Sequence, residues 1–179
     1  MSKENYNKGS EKTINKSYFR GDVRMIEVLN KDNSEQYEMY HVFFKKRAIT
    51  TIHSHKTEQI LIATKGKGIV CLIKENFLDK ITPEKVMIME VGDVVSIPAN
   101  VFHFHGSFSN DGFSHIAFRN RKLLNTEGKI LDAGNIWEID LLKELFYNDE
   151  KKIKETTQKI DQEILELLNS STNNVERYL

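Results

Sequence analysis

Histidines are the residues of this chain whose type and spacing point most clearly to chemistry. Five of the six histidines lie at His53, His55, His103, His105 and His115. Because side chains alternate across a β-strand, a His-x-His pair places two imidazoles on one face, close enough to share a cation. Imidazole nitrogens suit Zn, Fe, Ni and Cu and, with oxygen ligands, Mn. The two His-x-His pairs therefore predict a site for one divalent transition metal.

The spacing around these pairs follows a known pattern. Three residues separate His55 from Gln59, and six separate Gln59 from Gly66. Later in the chain, five residues separate Gly92 from a Pro-Ala-Asn turn, and two more lead to His103. Both spacings resemble the two motifs of the cupins, small β-barrels whose motifs supply a metal site. The resemblance implies a ligand set made of His53, His55, Gln59 and His103.

Three residue types depart from the cupin motifs. Arg47 and Asn100 stand where the motifs have glycine, and Ser107 stands where the second motif ends in asparagine. Asparagine tolerates a positive φ angle nearly as well as glycine does, so we expect the turn at Asn100 to be kept.

A closer resemblance extends over longer runs of the sequence. The segments are HSHKTEQILIATKGKGIV, GDVVSIPANVFHFHGS and SHIAF. They are similar to the stand-alone cupins associated with carboxymuconolactone decarboxylases, which carry a glutamine at the position of Gln59. Members of that group share no single reaction, so the resemblance implies a site more than a chemistry.

Gln59 stands where most cupins carry a glutamate. Three histidines and a carboxylate leave a divalent ion with a net charge of +1, whereas a neutral amide oxygen leaves +2. The sequence therefore predicts a more Lewis-acidic metal and a small-molecule ligand that is anionic. Glu58 is the rival ligand, but a shift of one residue along a strand turns a side chain to the opposite face.

His105 and His115 lie beyond the predicted ligand set. By strand parity His105 points inward with His103, where it can be a fifth ligand, a general acid/base or a donor to another ligand. We favour a general acid/base role for His105 and His115, although a core histidine bonded to a carbonyl explains His115 equally well. Arg47 and Arg119 either orient a substrate carboxylate or are simply solvated.

The elements that must position these residues are short strands. Extended runs broken by turn residues fill the chain from Phe19 to Phe118, and their spacing suits antiparallel hairpins. With the resemblance, this pattern predicts a mainly β fold, an antiparallel double-stranded β-helix, or jelly-roll, barrel over residues 18–120. Residues 1–17 are mostly polar and are predicted to form a flexible arm.

The end of the chain has a different pattern. Apolar residues recur there at steps of three and four, which predicts a C-terminal α-helical extension over residues 121–179. Asn148 or Asp149 can cap a second helix. The apolar stripe of that helix either packs on the outside of the barrel or is exchanged across a dimer, and a homodimer is expected.

Charge and composition exclude several classes of partner. The chain carries 26 basic and 26 acidic residues, so no overall field favours nucleic acid or an anionic membrane surface. No apolar run is long enough to span a bilayer and no leader is recognisable, so we expect a cytoplasmic protein. Cys71 lies in an apolar run, where a thiol acts as a small buried hydrophobe.

Three functions are compatible with these patterns. The first is a metal-dependent enzyme that acts on a small oxygenated or carboxylated molecule by oxygenase, isomerase or decarboxylase-type chemistry. The second is a non-catalytic cupin that binds a small ligand or senses metal. The third is a barrel whose site is vestigial. The histidines beyond the ligand set favour the first function, and the three intact histidines, His53, His55 and His103, argue against the third.

Overall fold

A computed structural model of the chain describes residues 3–108 and 110–175. A short 3-10 turn, Lys16–Tyr18, precedes the second strand. Among the described residues, the last strand is followed by the helices α1 (Glu138–Leu145) and α2 (Glu150–Val175). The strands are β1 (Ser10–Glu11), β2 (Phe19–Arg20), β3 (Val23–Leu29), β4 (Tyr37–Phe44), β5 (Ile49–Thr50), β6 (His53–His55), β7 (Gln59–Gly66), β8 (Gly68–Ile73), β9 (Pro83–Met89), β10 (Val94–Ile97), β11 (Phe102–Ser107), β12 (Phe113–Asn120), β13 (Lys122–Leu124), β14 (Ile130–Asp132) and β15 (Asn135–Trp137).

The strands pair antiparallel into a jelly-roll barrel, as the sequence predicts. One sheet has the order β1-β3-β4-β12-β7-β10. The facing sheet has the order β15-β6-β11-β5-β2, and β8 joins it by pairing with both β11 and β9. A small hairpin of β13 and β14 lies apart from both sheets. The mainly β barrel with a helical end is therefore confirmed.

Tight turns hold the strands in register. Gly66 has a φ of 72°, and a Cβ at this position would lie 2.1 Å from the carbonyl oxygen of Gly112. Arg47 and Asn100, which replace motif glycines, also have positive φ angles, 53° and 63°. The turns that glycine favours are thus kept by residues that can adopt the left-handed conformation at a modest cost.

Apolar side chains form two buried clusters, one between the sheets and one beneath the helices. The cluster between the sheets contains Val42, Phe44, Ala48, Leu61, Ala63, Val70, Met89, Ile97, Phe113 and Ala117. The helix-side cluster lies on the outer face of the second sheet and contains Ile49, Ile52, Ile69, Cys71, Ile73, Phe77, Ile81, Phe104, Leu142, Ile160 and Ile164. Strand β8 is consequently apolar on both faces, with Val70 in the first cluster and Ile69 and Cys71 in the second.

Helix α2 packs on the barrel of its own chain through Ile160 and Ile164, each 2% exposed. Asp149 caps this helix, because its side chain accepts a hydrogen bond from the backbone N–H of Lys152 at 3.2 Å. Among the described residues, no helix is long and apolar enough to cross a membrane.

Two predicted boundaries differ from the structure. The predicted arm over residues 1–17 includes β1, which pairs with β3, and Lys12, which forms an ion pair with Glu27 at 2.6 Å. The predicted helical extension from residue 121 begins instead with β13, β14 and β15, and helix starts only at Glu138. β1 and β15 pair with β3 and β6, which lie elsewhere in the sequence, so local composition gives no sign of these pairings, whereas β13 and β14 form a local hairpin.

Candidate metal centre

The strands bring the predicted site residues into the interior of the barrel. His53 on β6 is the cross-strand partner of His103 on β11, with ring centroids 4.2 Å apart. The His55 ring lies 4.9 Å from that of His53 and 5.4 Å from that of His103. Gln59 opens β7 and is 6% exposed. All four side chains are buried.

Each of these three imidazoles has one nitrogen hydrogen-bonded to an oxygen atom. Nδ1 of His53 donates to the carbonyl oxygen of Thr51 at 2.9 Å. Nδ1 of His55 donates to Oδ1 of Asn135 at 2.8 Å, and Nδ1 of His103 donates to the carbonyl oxygen of Val101 at 2.8 Å. Because these oxygens only accept, each Nδ1 carries the ring proton and each Nε2 presents a lone pair. Metal-binding histidines are commonly oriented in this way.

The side-chain oxygen of Gln59 lies beside the Nε2 atoms of these histidines. Its Oε1 lies 3.2 Å from Nε2 of His103, so two acceptors face each other. Nε2 of His55 is buried without a hydrogen-bond partner among the described residues. Glu58, the rival ligand, is exposed and bonds to Ser96 on the outer side of the sheet. Strand parity therefore places Gln59, and not Glu58, beside the histidines.

His105 and His115 lie next to this group. Among the described residues, one group of histidines has ligand atoms that all lie within 4.8 Å of one another. This group consists of His53, His103 and His105. Nδ1 of His105 is 3.1 Å from Nε2 of His115, which packs between Phe44 and Phe113. His105 is thus placed to be a fifth ligand as well as a proton carrier.

Burial keeps these imidazoles neutral. Burial lowers the pKa of His55 to about 3, with further lowering by the charges of His103 and Arg119. Burial also lowers the pKa of His103 to about 4 and that of His115 to about 3. The pKa values of His53 and His105 fall well below the usual value for the same reason. Neutral imidazole is the form that binds metal.

A cavity of about 410 Å³ leads to the histidines. Its charged residues form a chain of contacts: Arg119 bonds to Glu38, Tyr40 donates to Glu38 at 3.3 Å, and Lys12 lies 3.4 Å from the Tyr40 hydroxyl. The residues on its wall are Lys12, Thr13, Ile14, Asn15, Tyr18, Phe19, Met25, Glu38, Tyr40, Val42, Thr50, His53, His55, Gln59, His105, Ala117, Arg119, Asn135 and Trp137.

Several wall residues were not predicted from the sequence. Asn135 orients His55, and Trp137 stacks on His53 with ring centroids 4.3 Å apart. Tyr18 stacks on the other side of Trp137, also at 4.3 Å. Neither β15 nor the N-terminal segment carries a motif, so only the aromatic character of Trp137 and Tyr18 hints at a buried role.

Other candidates from the sequence lie elsewhere. Arg47 is exposed in a turn, whereas Arg119 is 7% exposed and lines the cavity. Cys71 is fully buried in the helix-side cluster, and burial raises the pKa of its thiol to about 12, so it is not a thiolate nucleophile.

The donor set fits a bound cation. Neutral imidazole lone pairs and an amide oxygen converge in the buried interior of the barrel, and such acceptors are rarely left facing each other. The fold and the site together define a jelly-roll barrel with an internal polyhistidine centre. The profile of one family, described as Cupin, matches residues 6–144. The chain belongs to the cupin family.

Solved structures share this fold. A cupin-like protein from Thermotoga maritima is 29% identical with a TM-score of 0.54, over 72% of this chain and 84% of that protein. The polyketide cyclase RemF from Streptomyces resistomycificus is 10% identical with a TM-score of 0.55, over 76% of this chain and 86% of that one.

A formate complex of oxalate decarboxylase from Lactobacillus farciminis is 12% identical with a TM-score of 0.55, over 76% of this chain but 35% of that longer one. At the low identity of the cyclase and the decarboxylase, the likeness shows the fold alone. No curated protein matches the chain.

Proposed function

We propose that this cupin is a metal-dependent enzyme that acts on a small oxygenated or carboxylated molecule by oxygenase, isomerase or decarboxylase-type chemistry. The observation that carries the proposal is the convergence of buried acceptors: Nε2 of His55 has no partner among the described residues, and Oε1 of Gln59 lies 3.2 Å from Nε2 of His103. His53, His55, Gln59 and His103 would hold one divalent ion of Mn, Fe, Ni, Zn or Cu. When bound, such an ion polarises a ligand oxygen and lowers the pKa of water.

The residues of the chain then set what the site accepts. The proposed ligands carry no negative charge, so the charge of the ion is not reduced and an anionic small molecule is favoured. His105 lines the cavity, with His115 hydrogen-bonded behind it. We assign general acid/base catalysis to His105, with His115 holding its ring in place at Nδ1.

Turnover tests this function. Metal-reconstituted protein is incubated with a panel of small oxo, hydroxy and dicarboxylic acids, with and without dioxygen, and products are measured by mass spectrometry. We expect metal-dependent turnover that is lost in the double variant His53→Ala/His103→Ala. Tight ligand binding without turnover across the panel would instead identify a non-catalytic binding module.

Three finer predictions accompany this proposal. They are the close kinship with the cupins associated with carboxymuconolactone decarboxylases, a homodimeric state and a cytoplasmic location. None of them is needed for the chemistry proposed above.

A further inference from the structure

We infer that Arg119 is the carboxylate anchor of the cavity, so that the ligand is a compact dicarboxylic, 2-oxo or 2-hydroxy acid. One end of this acid docks on the guanidinium, and an oxygen at the other end reaches the proposed metal position. The second contact rests on the proposed function, whereas the contact with Arg119 does not.

The register of the barrel places Arg119 beside the histidine centre. Arg119 on β12 is the cross-strand partner of Gln59 on β7. Directly opposed residues point to the same face of a sheet, with Cβ atoms roughly 5 Å apart. Both side chains are buried, and both line the cavity. A group held by Arg119 therefore lies close to Gln59, which limits the ligand to a short molecule.

The guanidinium retains donors for such a group. Its Nε donates to Glu38, and its Nη1 donates to the carbonyl oxygen of Ala133 at 3.3 Å. No described residue accepts a hydrogen bond from Nη2. A guanidinium has five N–H donors in a planar fork that matches a carboxylate, and this fork stays charged at any physiological pH.

Other cations of the chain are less suited to this role. Lys12 is held by Glu27 at 2.6 Å and keeps 38% of its side chain exposed at the edge of the cavity, whereas the side chain of Arg119 is 8% exposed. Arg47 lies in an exposed turn. Arg119 alone among these three combines burial, a place on the cavity wall and donors without a described partner.

Charge balance explains why the anchor works together with the metal. Glu38 neutralises Arg119 and Glu27 neutralises Lys12, so the side-chain charges on this wall nearly cancel. The excess positive charge comes from an ion held by neutral ligands. Paired hydrogen bonds between Arg119 and one carboxylate orient the ligand. A second anionic or polar oxygen of the ligand then interacts with the positive charge of the ion.

Calorimetric titration of malonate, and of its neutral analogue malonamide, tests the inference on metal-loaded and metal-free protein. We expect wild type to bind malonate and not malonamide. Arg119→Gln should weaken malonate binding roughly tenfold to hundredfold, because a charge-assisted pair is lost. The double variant Arg119→Gln/Glu38→Gln removes both buried charges, so it keeps the cavity balanced should the single variant fold poorly. Arg47→Gln is the matched control and should bind within about twofold of wild type.

The outcomes separate the anchor from the metal site. Malonate binding that depends on Arg119 supports the inference in either metal state, even if the protein takes up no metal and the proposed function fails. Equal malonate affinity in wild type and in the double variant would overturn the anchor while the metal site stands. Absence of malonate binding to wild type in both metal states would overturn it as well.

Discussion

The two faces of strand β11 are both buried but differ in the kind of side chain that they bury. Phe104 points into the helix-side cluster and His103 points into the barrel, and both are 0% exposed. The helix-side layer consists of apolar side chains that need no partner. The barrel side holds imidazole nitrogens without partners among the described residues. Burial on one face contributes stability, whereas burial on the other costs stability and is explained by function.

The largest expected effect of this difference is on acid stability. In metal-free protein the folded-state pKa values of His55, His103 and His115 are about 3, 4 and 3, below the ordinary value. As pH falls below about 6.5, the unfolded chain binds protons first, so the stability that is full above this pH is lost. At pH 5 the loss is about 2 kcal/mol for each buried histidine.

Thermal unfolding of chelator-treated protein from pH 7.5 to pH 5 measures this effect. We expect a large fall in Tm over that range, and a smaller fall for His115→Phe, which removes one titrating group. A Tm that is constant from pH 7.5 to pH 5 would contradict the burial of neutral imidazoles.

A substitution in the helix-side cluster should lower the stability of the protein without changing its metal affinity. Ile164→Ala removes buried methyl groups between α2 and the barrel and should lower the free energy of unfolding by about 2–5 kcal/mol. Metal affinity should stay unchanged, because Ile164 packs in the helix-side cluster, on the other face of the sheet from the histidines. Leu165→Ala, at a position that is 44% exposed, is the matched control and should cost less than about 1 kcal/mol. Chemical denaturation measures the stability, and metal titration measures the affinity. A loss of metal binding in Ile164→Ala would contradict the separation of the apolar layer from the histidine site.

A smaller effect is expected from the groups that orient the ligands. Asn135→Ala removes the acceptor that fixes the His55 ring, so metal affinity should fall about 10- to 100-fold with little change in stability. Competition with a chelator of known affinity measures the change. Asn76→Ala, in an exposed turn, serves as the control. Equal metal affinity in Asn135→Ala and wild type would remove Asn135 from the site.

The smallest effect is expected just outside the barrel wall. Glu58→Gln changes an exposed side chain that bonds to Ser96, so metal affinity should stay within about twofold of wild type. The same chelator competition applies. A loss of more than about tenfold would mean that Glu58, rather than Gln59, belongs to the site.

The barrel and the grouping of the histidines could be predicted from strand alternation together with the resemblance to the cupin motifs. Alternation along β6 and β11 determines which residues share a face, and the positive φ of Asn100 was expected from its side chain. The ligand roles of these histidines remain predictions. Asn135 could not be predicted, since it lies 80 residues from His55 and its strand carries no motif.

The N-terminal segment shows the same limit. Its polar composition predicts a flexible arm, yet Lys12 finds Glu27 on β3 and a place on the cavity wall. Such contacts depend on tertiary partners, which override local propensity.

Metal content tests the central claim most directly. Protein purified without chelator is measured by elemental analysis beside His103→Ala, with circular dichroism to show that both are folded. The account predicts about one divalent transition metal per wild-type chain and less than about 0.2 in His103→Ala. Less than about 0.2 equivalents in wild type, unchanged by the substitution and by incubation with each candidate metal, would contradict it.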